Sequence, residues 1–403
     1  MFEFFINRFK FKPKFDNAYL NAKASYLNRI RFSVSLFYFA MGLCFASWAS
    51  RIPDIKTTLD LGEGELGTIL FAVPLGQLVI MPFSGKLVTR YGSKRVLIFS
   101  LSLYAVALII LGLSNEAWQL SSGLFVFGIF GNLANIAVNT QGVDTEALFK
   151  KTIMSSFHGA WSIAGFSGAI VGLGMLALNL PPLFHFVIIA VLVSGMMLYA
   201  GRYLIKAKEQ IRSEKQKFFT RPDSTLLWLG VIGFCCMASE GVMFDWSGVY
   251  FKEIIKAPGA LVAIGYTSFM IMMATGRFLG DSLIRKFGRK KVMQVSGVMI
   301  SGGLFTAVFF PYIIIATIAF MVVGLGVSTI VPTVYSVAGK NPNVPPGEAL
   351  TIVSSVSFLG FLMGPPVIGY IAEMSSLRVS FALIGIFGFI VTLLVSRISA
   401  IRD

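Results

Sequence analysis

Twelve times along this chain the sequence runs for close to twenty residues with few charges, at approximately 32–51, 64–88, 96–114, 117–145, 152–178, 183–203, 224–251, 260–284, 292–310, 312–338, 347–373 and 377–397. Each run, wound as a helix, is long enough to cross a hydrocarbon layer of about 30 Å. A transmembrane β-barrel is excluded, because its strands would read as roughly ten-residue segments of alternating polarity. Composition agrees: 56% of residues are hydrophobic and 13% charged, with a mean hydropathy of +0.78, where a soluble chain carries about 25% charged residues. The fold class is an all-α polytopic membrane protein with twelve transmembrane helices.

The net charge of +15 raises the question of a nucleic-acid partner, and the placement of the charges answers it. If the N-terminus lies inside, 29 of the 34 Lys and Arg residues fall in inner connectors, tails or inner helix ends, counting Arg277 there. Arg51, Lys56, Lys252, Lys256 and Arg378 are left for the outside. That bias places both termini in the cytoplasm and makes the basic groups a topology signal and a contact for anionic lipid, with no nucleic-acid partner expected. Residues 1–31 lack an apolar core ahead of a small-residue cleavage site, so they read as a cytoplasmic tail rather than a cleavable signal. Cys44, Cys235 and Cys236 all lie in apolar runs, which gives neither a disulfide framework nor zinc spacing. No metal or cofactor is expected.

The longest polar stretch inside the chain, 204–223, divides the twelve runs into six and six. The expected units are a 32–203 bundle, a cytoplasmic linker, a 224–397 bundle and a short cytoplasmic end at 398–403. The halves echo each other. Trp48, Gly85 and Arg90 in the first find counterparts in Trp246, Gly280 and Arg285, displaced by 198, 195 and 195 residues. Two parallel six-helix repeats about an axis normal to the membrane are a transporter architecture.

The tract "GKLVTRYGSKR" (85–95) resembles the signature loop of the major facilitator superfamily, Gly-x-x-x-Asp-Arg-x-Gly-Arg-Lys/Arg-Arg/Lys, through Gly85, Arg90, Gly92, Lys94 and Arg95. Tract 276–291 is similar to its second-half copy, through Gly276, Arg277, Gly280, Gly288, Arg289 and Lys290. More narrowly, "GLCFASWASRIP" and "NTQGVDTEALFKKTIMSSFHGAWSIAG" resemble the YbjJ-like inner-membrane branch. The resemblance implies two pseudo-symmetric bundles around a central cavity, alternating access, a monomer and a bacterial inner membrane. One departure stands out: Thr89 occupies the place of the loop acid, and the second copy has Ile284 or Arg285 there. In the family that carboxylate meets the start of the eleventh helix. Here Glu348 starts that helix, and Glu146 precedes the fifth. The expectation is that the acid has crossed the contact, pairing Glu348 with Lys86 or Arg90. Gly85, Lys86, Arg90, Gly92, Arg95, Glu146, Arg285 and Glu348 would then form a cytoplasmic gate; a solvated helix-start Glu is the alternative.

A polar group deep in a spanning segment must face a partner or a cavity. Glu240 and Asp245, on the seventh run, are the carboxylates well inside. A lone buried carboxylate escapes its desolvation cost by taking up a proton, so Glu240 is the expected coupling group, followed by Asp245 and His158. The rival reading is a structural hydrogen bond between helices. Asn132, Asn135 and Asn139 share one helical face, and His158 and Trp161 sit one turn apart on the fifth run. Asn135, Asn139, His158, Trp161, Glu240, Asp245, Trp48 and Trp246 are the candidate substrate contacts, with packing or interfacial anchoring the alternative for each Trp.

No Gly-x-x-x-x-Gly-Lys-Ser/Thr tract occurs, which removes an ATP-driven mechanism. Two histidines on separate runs without HExxH or GxSxG leave an intramembrane enzyme unsupported. The expected function is secondary active transport of a small polar organic solute, sugar-like or similar, in symport with protons. Proton-driven efflux of drug-like amphiphiles is the second reading, and a non-transporting sensor on the same fold a third.

Overall fold

The computed structural model describes residues 14–61, 63–206, 223–258, 261, 264–398 and 401. Twelve long helices follow one another: α1 (Lys14–Ser50), α2 (Ala72–Tyr91), α3 (Ser93–Gly112), α4 (Ala117–Phe149), α5 (Met154–Ala177), α6 (Pro182–Ala200), α7 (Ser224–Glu253), α8 (Ile264–Phe287), α9 (Arg289–Phe309), α10 (Ile313–Ala338), α11 (Pro346–Met374) and α12 (Leu377–Arg397). Two short helices, Ile52–Thr58 and Glu63–Leu70, lead into α2, and Thr329 interrupts α10. Ten segments among the described residues are long and apolar enough to cross a membrane. The other two helices, α5 and α8, have 24 residues each.

The first helix departs from expectation. Residues 14–31, read above as tail, are helical and continuous with the first span. The stretch "KFDNAYLNAKASYLNRIR" contains no Gly or Pro, so nothing in it stops a helix. Residues 1–13, and 207–222 of the expected linker, lie outside the described residues. The linker's flanks are tied down. Gln141 donates to Ile205 O and accepts from Ile205 N at 2.8 and 3.0 Å. At the far end, Asp223 caps α7 through Thr225 N and accepts from Asn341 at 2.8 Å each. The bond from Asn341, with that cap, holds the Asp223 carboxyl below the usual carboxylate range.

Packing shows the repeat more clearly than the sequence does. In the first half α1 packs on α5, α2 on α4 and α3 on α6; in the second half α7 packs on α11, α8 on α10 and α9 on α12. The halves meet through α2 with α11 and α5 with α8, one pair being the pseudo-symmetric image of the other. Gly92 and Gly288 each join two helices with positive φ, 84° and 82°, a conformation that costs a side chain dearly. Gly85 and Gly280, seven and eight residues before them, both lie where the halves cross. The seam contacts include Gly85 on Gly347 and Glu348, Gly280 on Ser155, and Gly339 on Val143. These sit at the end carrying the two loop tracts, hereafter the inner end.

Close approach within each half depends on glycines at equivalent positions. A Cβ on Gly128 would fall 2.1 Å from Val73 O, and one on Gly324 would fall 2.4 Å from Phe269 O. Alanine in an exposed helix gains about 1 kcal/mol over glycine. Here the backbone of the facing helix cannot yield, so Gly128→Ala and Gly324→Ala should each lose about 1–3 kcal/mol, the usual cost of overpacking. Thermal unfolding of purified protein checks this; an unchanged or raised Tm would refute the contact.

Candidate functional site

Several of the polar residues that the spanning helices bury come together between the halves. On α1, Tyr38 donates to Asn139 Oδ1 of α4 at 2.8 Å. Asn139 in turn donates to Asn135 O at 2.9 Å and also reaches the Asn135 side-chain oxygen. Asn139 is buried, whereas Asn135 is exposed. The Tyr38 ring lies 5.4 Å from that of His158 on α5, and His158 lies 6.1 Å from Tyr335 on α10. His158 Nε2 is buried with no hydrogen-bond partner in the protein. Tyr38, Asn135, Asn139 and His158 come from the first half and Tyr335 from the second, so this line of groups crosses the seam.

One turn further along α5, Ser162 accepts from Arg277 Nη1 of α8 at 2.7 Å, and Arg277 Nη2 donates to Glu240 Oε1 of α7 at 3.1 Å. Both charged side chains are largely buried, at 8% and 13% exposure. This overturns the reading of Glu240 as a lone carboxylate. Arg277 was assigned above to an inner helix end, yet it lies ten residues before Phe287, about 15 Å along the helix. It is tolerated there because a buried ion needs a partner, and Glu240 supplies one. A pair of opposite charges in two adjacent apolar runs was a signal the sequence carried.

The remaining candidates separate by environment. Asn132 accepts from Ser84 at 2.8 Å and ties α4 to α2. Trp48 is 2% exposed, buried in the first half rather than on a cavity wall. Trp161 packs against Gly42 and Phe45 of α1, and Trp246 against Gly369 of α11, so both fill helix contacts within a half. Asp245 is exposed, five residues beyond Glu240 on α7. Tyr38, Ser162 and Tyr335 went unnoticed in the sequence, since hydroxyls in apolar runs carry no distinguishing pattern.

At the inner end, two carboxylates converge on the start of α5. Glu146 accepts from Ile153 N and Met154 N at 3.0 and 3.1 Å, and from the Ser336 and Lys340 side chains of the second half. Asp281 of α8 accepts from Ser155 N and Ser156 N at 3.0 and 2.9 Å, and from the Ser156 hydroxyl. Arg285 donates to Thr152 O at 3.0 Å. The second loop tract thus brings an acid, Asp281, to the start of α5 directly after Gly280, while the motif's own acid position holds Ile284 or Arg285, as read above. In the first copy the matching position after Gly85 is Lys86, which interacts electrostatically with Glu348 of α11. Arg90 lies instead over the Tyr91 ring at 5.3 Å, and Arg95 is exposed.

Two outcomes test these contacts. Asp281→Asn weakens the cap on α5 and should cost about 0.5–2 kcal/mol, read as a lower Tm. Arg277→Gln leaves Glu240 buried without its cation and should cost about 3–5 kcal/mol, while the charge-balanced Glu240→Gln/Arg277→Gln pair recovers much of it. Equal losses in the single and double variants would show that the pair is not coupled.

With the geometry in place, comparisons with known proteins identify the fold and family. Residues 34–346 match the family model of the Major Facilitator Superfamily. An uncharacterised MFS-type transporter of Yersinia pestis is 30% identical over 354 residues, 88% of this chain and 92% of the relative. Membrane protein MosC of Rhizobium meliloti is 28% identical over 344 residues, 85% and 83% of the two chains. Among solved structures, the transporter FucP in its outward conformation superposes with a TM-score of 0.75 at 16% identity, covering 93% of this chain and 99% of FucP. The chain belongs to the Major Facilitator Superfamily: it is a multi-pass membrane transporter and not an enzyme.

Proposed function

We propose that this transporter moves a small polar organic solute, sugar-like in its hydroxyl groups, by proton-linked secondary active transport as a monomer. The supporting observation is the charge-balanced polar cluster between the halves. Arg277 and Glu240 offset each other, so the groups left to meet a solute are amides, phenols and an imidazole: Asn135, Asn139, Tyr38, Tyr335 and His158. Such groups hydrogen-bond a neutral hydroxylated solute and bring no net charge to match a charged one. FucP, a fucose–proton symporter, shares the fold, which supports a solute of this kind.

The bias of the basic residues supports both termini lying on the cytoplasmic side of a bacterial inner membrane; the closed inner end would then be cytoplasmic, in an outward-facing state. Coupling follows from charge balance. A proton on Glu240 would leave Arg277 a buried cation without its carboxylate, so protonation and release of Arg277 must go together. Arg277 also holds Ser162 across the seam; inner opening and proton exchange thereby share one side chain. Asp245 and His158 are secondary candidates for the proton.

Proteoliposome flux tests this reading. One pH unit supplies about 1.4 kcal/mol per proton, which sustains about tenfold accumulation at one proton per solute. Glu240→Gln should lose that accumulation yet keep solute exchange, the retained exchange showing that the variant is folded. Accumulation with unaltered pH dependence in Glu240→Gln would refute Glu240 as the coupling group.

At the gate, Glu348→Lys should shift the protein toward inward-open, with partial rescue by Lys86→Glu. Distances between spin labels across the inner end report the shift. Equal rescue by Arg90→Glu would mean that Lys86 is not the partner.

A further inference from the structure

A polar cavity of about 370 Å³ opens at the inner end, apart from the central cluster. Lys150 and Lys151, in the turn between α4 and α5, line it from the first half; Arg285, Arg289 and Lys340 line it from the second. Glu146 is the acid among the lining residues. Its oxygens already accept from Lys340, Ser336 and two backbone N–H groups. The lining thus carries five positive charges against one negative.

The positive-inside bias alone does not account for this convergence. It is satisfied by any basic residue in an inner connector, and neighbouring lysines of the same loop turn elsewhere. Lys290 donates to Ser396 O at 3.1 Å, and Lys291 lies over the Phe287 ring. Arg285 instead reaches across the seam to Thr152 O. Lys150 holds a left-handed φ of 50° as the cap residue of α4, where glycine or asparagine is usual. A basic side chain stands at a position that favours having none.

Closing the inner end brings Lys150 and Lys151 up to Arg285, Arg289 and Lys340, and like charges across a closing seam repel. We propose that the cavity binds a phosphate-bearing anion, which bridges the halves and stabilises the closed inner end. Arginine offers phosphate a planar fork and lysine a mobile point charge. Basic pockets between spanning helices take phosphate headgroups of lipids, and a free phosphate presents the same chemistry. A ligand that needs both walls binds the closed state better, so it shifts the equilibrium toward closure by the ratio of its two affinities.

The test uses the full chain in nanodiscs, with spin labels at Leu148→Cys and Lys291→Cys reporting the distance across the inner end. One arm titrates inorganic phosphate into phosphatidylcholine discs; the other replaces the lipid with phosphatidylglycerol and omits phosphate. A control arm adds chloride at matched ionic strength. At least one phosphate-bearing probe should raise the ratio of closed to open by about fivefold or more, and Lys150→Gln/Lys151→Gln should abolish the response. Arg289→Gln, on the other wall, should weaken it independently. A response confined to the first arm assigns a soluble phosphate, and one confined to the second assigns a lipid headgroup. No response to either probe, an equal response to chloride, or an undiminished response in the variants would overturn the proposal.

Discussion

The first turn of α5 is where the two halves are held together. A helix start leaves its leading N–H groups without intrahelical partners, and here four in succession, Ile153 to Ser156, are met by two carboxylates. Glu146 comes from the same half and Asp281 from the opposite one. A carboxylate facing the positive end of a helix dipole is favourable on its own, and buried amides without partners are costly. Separating the halves at this point therefore strips the second pair of N–H groups of their acceptor. The inner end is closed by backbone chemistry as much as by ion pairs.

The pseudo-symmetric seam uses the same geometry with the charges exchanged. Gly280 and Asp281 of α8 face the start of α5; Gly85 and Lys86 of α2 face the start of α11. Where α5 presents Ser156 to an acid, α11 presents Glu348 to a base. Glycine is kept at both crossings because a Cβ there would meet the facing helix at 2.5–2.6 Å. One seam thus sets a carboxylate on amides, and the other sets an ammonium group near a carboxylate on the facing helix.

Much of this was legible in the sequence, and the parts that were not share a cause. Apolar run length determines the spans because lipid admits little else, and the repeat of Trp, Gly and Arg announced two halves. The absence of an acid at Thr89 pointed to Glu348 and Glu146, and both lie at contacts between the halves. The helical start at Lys14 is hidden from a reading of polarity, because polar residues form helices as readily as apolar ones. The depth of Arg277 is hidden for a similar reason: a basic residue near a loop reads as part of the loop. Its depth follows from pairing with Glu240, which one-dimensional reading does not show. Trp48 and Trp161 went the other way, large aromatic groups that suggested a cavity wall but fill helix contacts instead.

The face of α8 joins these features into one device. Arg277, Asp281 and Arg285 recur every four residues and so lie along one side of the helix. Each meets α5 or the turn before it: Arg277 the Ser162 hydroxyl, Asp281 the amides of Ser155 and Ser156, Arg285 the carbonyl of Thr152. Ser155 adds a bond back to Arg277 O at 2.6 Å. These contacts form a ladder between rigid helices of opposite halves, and rocking of the halves must break its rungs together rather than singly. The rung nearest the central cluster is the one whose cation also holds Glu240. A solute or proton that altered the Glu240–Arg277 bond would therefore weaken the end rung and lower the cost of breaking the set. The two positive rungs differ in surroundings: Arg277 is paired with Glu240 at the central cluster, and Arg285 lines the basic cavity.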